Sequence, residues 1–149
     1  MENRIEMGRD IKSKTELTAD QVNMFSDLYS KGADSPELAE FVYLSDINDV
    51  FAYRLFVDQM ASKVRREIDM IEMSRQTFNL MEISYSEEDV KEAEEELNVS
   101  LNEHKEMFEK VNVLICKRQQ KCQHEFDVVE HDSHHDHYVC KKCGLEEWV

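Results

Sequence analysis

Val50, Val57, Val64, Ile71 and Phe78 stand seven residues apart. An apolar repeat of this period puts one narrow stripe along a helix, the pattern of a coiled-coil seam. Tyr53, Met60, Ala61, Ile68 and Met81 fill the companion positions. The pattern predicts one helix over about residues 46–82, roughly 55 Å long at 1.5 Å per residue, with Ser45 as its N-cap. A stripe this narrow is buried only by a partner of similar length.

The partner follows in sequence. Ile83-Ser-Tyr-Ser86 breaks the repeat, and Ser86-Glu-Glu-Asp89 reads as an N-cap with carboxylates in the first turn, where the helix dipole favours them. A second helix is expected from 87 to about 120, with Val90, Ala93, Leu97, Leu101, Met107, Phe108, Val111, Leu114 and Ile115 inward. A short connection makes the two helices antiparallel neighbours. A fold about residue 84 then sets Phe78 opposite Val90, Ile71 opposite Leu97, Val64 opposite His104 and Val57 opposite Val111. The same register brings Arg75 beside Glu94 and Glu95, and Arg65 and Arg66 beside Glu103. Apolar layers and charge pairs agree on one hairpin. His104 is read as a seam histidine with one nitrogen reaching water or a neighbour, and Cys116 as a buried thiol.

Upstream, residues 1–14 are polar and aperiodic and read as a frayed arm. Thr18-Ala-Asp-Gln21 is a capping box opening a short helix with Val22, Phe25, Leu28 and Tyr29 on one face, closed at Gly32. Ser35-Pro36 restarts a second short helix carrying Leu38, Phe41 and Val42. With only three Gly and one Pro in 149 residues, turns are few, which suits a mostly α protein. No apolar run is long enough to span a bilayer, and the first ten residues lack the apolar core of a secretory leader. The expected compartment is therefore the reducing cytoplasm.

The last quarter changes character. Cys122-Gln-His124 is followed after fifteen residues by Cys140-Lys-Lys-Cys143-Gly144. Thiolate and imidazole donors in pairs of this spacing are a four-ligand zinc site, and a structural site fills all four positions with protein. Cys122, His124, Cys140 and Cys143 are the expected ligands, with one zinc as cofactor. A redox pair of Cys140 and Cys143 would need a βαβ setting, and none is visible. His131, His134, His135 and His137 leave open a second metal, with His137 the best substitute for His124. His124 to Glu130 alternates as a strand, and Leu145-Glu-Glu-Trp-Val149 can return as a third short strand.

Residues 122–149 thereby resemble the zinc ribbons, in which two knuckles hold one zinc at the end of a β-hairpin. His124 stands where the commoner form has cysteine, and no Gly follows it. The resemblance implies the metal and the fold. Its members include transcription factors, polymerase subunits, ribosomal proteins and small viral proteins, so it implies function only loosely. The chain is thus expected to comprise a helical domain, 1–121, and a zinc-ribbon-like module, 122–149.

Charge bounds the function. The formal net charge is −15, and residues 122–149 carry −5 of it. Such acidity argues against direct binding to nucleic-acid phosphate. No Pro precedes Cys140 as in the deaminase signature, and neither a Gly-rich phosphate loop nor a nucleophile elbow is present. The reading is a non-enzymatic factor that meets a protein with a basic surface. Its contacts are expected at Glu88, Glu92, Glu95 and Glu96, with Trp148 as a second anchor. In outline this looks like the bacterial RNA polymerase regulators that insert a coiled-coil hairpin into the secondary channel, although their tip motif and zinc spacing are absent. Two alternatives stay open: an acidic nucleic-acid mimic inhibiting a host nuclease, and a nucleic-acid-binding zinc protein. A homodimer through the paired helices also stays open.

Overall fold

Local signals decide where each helix starts. In the computed structural model, which describes residues 16–131 and 135–149, α1 spans Ala19–Lys31. Thr18 Oγ1 accepts the Gln21 N–H at 3.1 Å while Gln21 Oε1 accepts the Thr18 N–H at 3.0 Å, the reciprocal capping box. Gly32 ends the helix at φ 99°. Helix α2, Pro36–Leu44, begins with the Leu38 N–H on Ser35 Oγ and proline at its first position. The polar arm expected over 1–14 lies outside the described residues.

Helix α3, Ile47–Leu80, and helix α4, Glu87–Lys121, form the long pair. The start of α3 differs from expectation by one residue. Asp46 supplies the side-chain acceptor, taking the Asn48 N–H on Oδ1 at 2.8 Å, while Ser45 closes α2 through its N–H to the Phe41 carbonyl. Two cap-competent residues stand side by side, and the end of α2 claims the first of them. Helix α4 starts as expected, with the Asp89 N–H on Ser86 Oγ.

The chain divides into two compact units. The first comprises residues 16–56 and 109–149. Its helical core draws Phe25 from α1, Leu38 and Val42 from α2, Val50 and Tyr53 from α3, and Val111, Leu114 and Ile115 from α4. Phe25 is the hub of an aromatic cluster, meeting Tyr53 edge-on at 5.4 Å, Phe56 at 5.8 Å and Phe41 at 6.2 Å. Rings in such geometry add to the roughly 1.5–3 kcal/mol that burial of each large apolar side chain contributes. Cys116 is exposed, not buried. Val111, Leu114 and Ile115 take the inward face, and the next residue is turned about 100° away from it.

The unit ends in a three-stranded antiparallel sheet, β1 Phe126–His131, β2 Asp136–Cys140 and β3 Glu146–Trp148, in the order β1-β2-β3. Phe126 pairs with Cys140, and Tyr138 with Glu147. An irregularity between Val128 and Glu130 shifts the first pairing.

The second unit, residues 57–108, is the two helices on either side of the 81–86 turn. Ala61, Val64 and Leu101 form a buried cluster with Ile68 and Leu97 packed against them, and Val57 and Met107 are buried as well. Leu101 thus packs in the layer at Val64. His104 is half-buried with its Nε2 3.4 Å from Ser100 Oγ. Towards the turn the seam opens: Phe78 is 38% exposed and Met81 64%. Met81 was expected in the seam, but α3 stops at Leu80 and the stripe stops with it. Glu82 takes φ 55°, with the Ile83 N–H on the Phe78 carbonyl at 2.9 Å and the Glu82 N–H on that of Asn79 at 3.3 Å. This is a Schellman stop made without glycine. Arg75 meets Glu94 at 2.9 Å as the register requires, and pairs with Glu72 and Glu87 where Glu95 was expected. Among the described residues no helix is long and apolar enough to cross a membrane.

Candidate metal centre

Three segments of the first unit bring four donors together. The chain leaves α4 at Lys121, so Cys122 and His124 lie between the helix and β1, whereas Cys140 ends β2 and Cys143 lies in the following turn. The Sγ atoms of the three cysteines and a ring nitrogen of His124 all lie within 4.8 Å of one another. Cys122 Sγ is 3.8 Å from Cys140 Sγ, and Cys143 Sγ is 3.3 Å from His124 Nδ1. A tetrahedral ion bonded to sulfur at about 2.3 Å and to nitrogen at about 2.0–2.1 Å has edges of about 3.8 Å between sulfurs and about 3.6 Å from sulfur to nitrogen. The two measured separations fall close to those edges, so the cluster can hold a metal ion.

Backbone geometry builds the Cys140–Cys143 half. The Lys142 and Glu125 N–H groups each approach Cys140 Sγ at 3.4 Å. The Gly144 N–H returns to the Cys140 carbonyl at 2.9 Å. Burial would raise the Cys140 thiol, but hydrogen bonds from the Glu125 N–H, His124 and Lys142 N–H outweigh it and hold it at about 6. Burial pushes Cys143 up to about 12, with the neighbouring Cys122 and Cys140 adding to the rise. One thiolate therefore forms readily and discourages the next. A bound cation removes that conflict, since each coordinating thiol is held as thiolate.

The site is fastened to the helices by Arg118 and Gln119. Arg118 donates from Nη1 to the carbonyls of Val42 at 2.9 Å and Ser45 at 2.7 Å, and from Nη2 to that of Lys142 at 2.6 Å. The first two are carbonyls at the C-terminal end of α2, which have no partner within their own helix. One guanidinium fork thus joins α2, α4 and the cysteine turn. Gln119 Nε2 adds a bond to the Cys143 carbonyl at 3.2 Å. Gly144 is buried at φ 73°, and a side chain there would collide with the ring of Phe51. It therefore serves both the turn and the close approach of the knuckle to α3.

The remaining candidates lie apart from this cluster. His137 stacks flat on Trp148, with centroids 4.1 Å apart and planes 2° from parallel, and its Nε2 is 3.8 Å from Glu146 Oε1. Trp148 is 56% exposed. His131 Nδ1 sits 2.6 Å from Asp136 Oδ1, and His134 lies outside the described residues. Among the described residues, the Cys122–Cys143 set is the one group arranged to take a metal. Glu88, Glu92, Glu95 and Glu96 are all exposed on α4 in the second unit.

Fold and centre together define a small, mostly helical protein with a three-cysteine, one-histidine cluster able to hold a metal ion. No protein family, curated protein or solved structure matches the chain.

Proposed function

We propose that this is a non-enzymatic zinc-binding interaction factor. Its C-terminal module is a zinc-ribbon-like staple, and its paired helices are an acidic coiled-coil hairpin that engages a protein with a basic surface. Zinc is the reading for the metal because three sulfurs and one imidazole, enough to fill a tetrahedral shell, suit it better than hard cations. A closed site leaves no position for substrate, which supports a structural role.

The observation that carries the partner reading is the second unit's charge distribution. Glu88, Glu92, Glu95 and Glu96 are exposed, and among the described residues none of the four forms an ion pair, whereas Arg75 is occupied by Glu72, Glu87 and Glu94. Like charge displayed on one helix speeds encounter with a basic partner, and the effect falls with salt.

The test replaces Glu88, Glu92, Glu95 and Glu96 together by lysine in the full chain. Proteins captured from lysate by the parent and lost by the variant are identified, and their association rates are measured against salt. The proposal expects basic partners, slower association and a weakened or reversed salt dependence, with helix content unchanged. Equal rates and equal salt dependence would overturn it. Selective capture of nucleases would favour the nucleic-acid-mimic reading.

A further inference from the structure

The open end of the helical seam leaves a groove of about 450 Å³ between α3 and α4 within the second unit. Ile71 and Phe78 line it from α3, and Val90 and Leu97 from α4. These are the layers that the register pairs, yet none is fully buried. Phe78 and Tyr85 rings approach at 5.9 Å and support the end nearest the turn. Met70, 65% exposed, forms part of the wall. The adjoining turn leaves Leu80, Met81 and Ile83 exposed as well. Apolar surface of this kind beside a groove marks a place where something docks. Methionine adapts to the shape of what it meets.

Charge selects the occupant. Residues 57–108 hold fourteen acidic and six basic side chains, a net −8. Glu67 lines the groove, and Arg75, the cation in its wall, is outnumbered by the three carboxylates it meets. A second copy of this chain would bring the same negative charge and be repelled, as would an anionic lipid surface. A helix with an apolar face flanked by Lys or Arg satisfies both floor and field, which is how amphipathic helices enter grooves.

We infer that this groove receives the apolar face of a basic amphipathic helix from a partner protein. The inference rests on the reading of the second unit as partner-binding and names the chemistry of the partner.

The test uses the full chain with zinc and labelled peptides of about 18 residues, long enough for several helical turns. One peptide carries a leucine face and a lysine face. A second has glutamine for leucine at equal charge, and a third has glutamate for lysine. By fluorescence anisotropy the first binds at least about tenfold more tightly than either control. Ser74→Trp, which fills the groove from a residue that lines it, abolishes most of the preference for leucine over glutamine. Met70→Gln reduces it and serves where the tryptophan variant loses helix content by circular dichroism. Equal binding of the leucine and glutamine peptides, or a preference untouched by both variants, overturns the inference. Equal binding of the glutamate peptide overturns its charge requirement. A dimer seen by sedimentation and dissolved by Ser74→Trp would make a second copy the occupant and overturn it too. The Glu88, Glu92, Glu95 and Glu96 lysine variant separates the two proposals. Loss of partner association there with the groove variants unaffected would sink the groove alone, and the reverse would sink the acidic-face reading alone.

Discussion

The two units of this chain are held by different means. In the first, Phe25, Leu38, Val42, Val50, Tyr53 and Val111 are wholly buried, and the Cys122–Cys143 cluster, Gly144 and Arg118 tie the sheet to the helices. In the second, Val57 is wholly buried and Ala61, Val64, Leu101 and Met107 are nearly so, but the seam thins to half-exposed residues at the turn. The first unit contributes depth and a metal-type staple, whereas the second displays charge and apolar surface together. Sparse burial of this kind goes with low local stability.

The sharpest way to break this comparison is Cys140→Ser. Coordination in a closed site of this kind is coupled to folding and is worth on the order of 10 kcal/mol in small zinc domains. We expect loss of bound metal and collapse of residues 122–149 by NMR, with the resonances of 57–108 retained. Next in size is a matched pair of truncations. Leu38→Ala removes a wholly buried side chain and should cost about 4 kcal/mol, while Leu97→Ala in the half-open seam should cost about 1.5 kcal/mol. Urea unfolding of the two variants reads the difference. Similar losses would mean that the seam packs as tightly as the first unit.

Each unit also carries one local misfit. The Tyr53 hydroxyl is buried with no hydrogen-bond partner among the described residues, and Glu82 holds a left-handed conformation that glycine adopts without penalty. Tyr53→Phe and Glu82→Gly should each stabilise the chain by about 1 kcal/mol in thermal melts, and additively, since they belong to different units.

The smallest expected effect is at His104. Burial holds its imidazole below the usual range, with Glu103 opposing. A base with a lower pKa folded than unfolded makes no difference at pH 8, where it is neutral in both states. Stability is lost as pH falls through the unfolded value of about 6.5 towards the folded one. The parent should therefore lose slightly more melting temperature between pH 7 and 5 than His104→Leu does.

Much of this architecture was legible from local rules. Thr18-Gln21, Ser35-Pro36 and Ser86 mark helix starts because capping is a matter of neighbouring residues. The hairpin register was legible because two patterns fix it together: Ile71, Leu97, Phe78 and Val90 line one groove, and Arg75 meets Glu94. The four donors were legible because their spacing reflects their chemistry. What escaped depends on contacts distant in sequence. Nothing near Arg118 announces that its guanidinium will close carbonyls of α2, and nothing near Gly144 reveals the ring of Phe51 against it. Periodicity also cannot say where a stripe stops being covered, which is why Met81 and Cys116 were read as inward and lie outside.

The measurement that bears most directly on the contrast between the units is hydrogen–deuterium exchange on the full chain, with zinc and after removal of zinc by a chelator. A staple that serves the first unit alone predicts that amides of residues 122–149 lose protection on chelation, while those of α3 and α4 within 57–108 exchange as before. Unchanged protection across 122–149 would contradict the account, and so would an equal loss in both units.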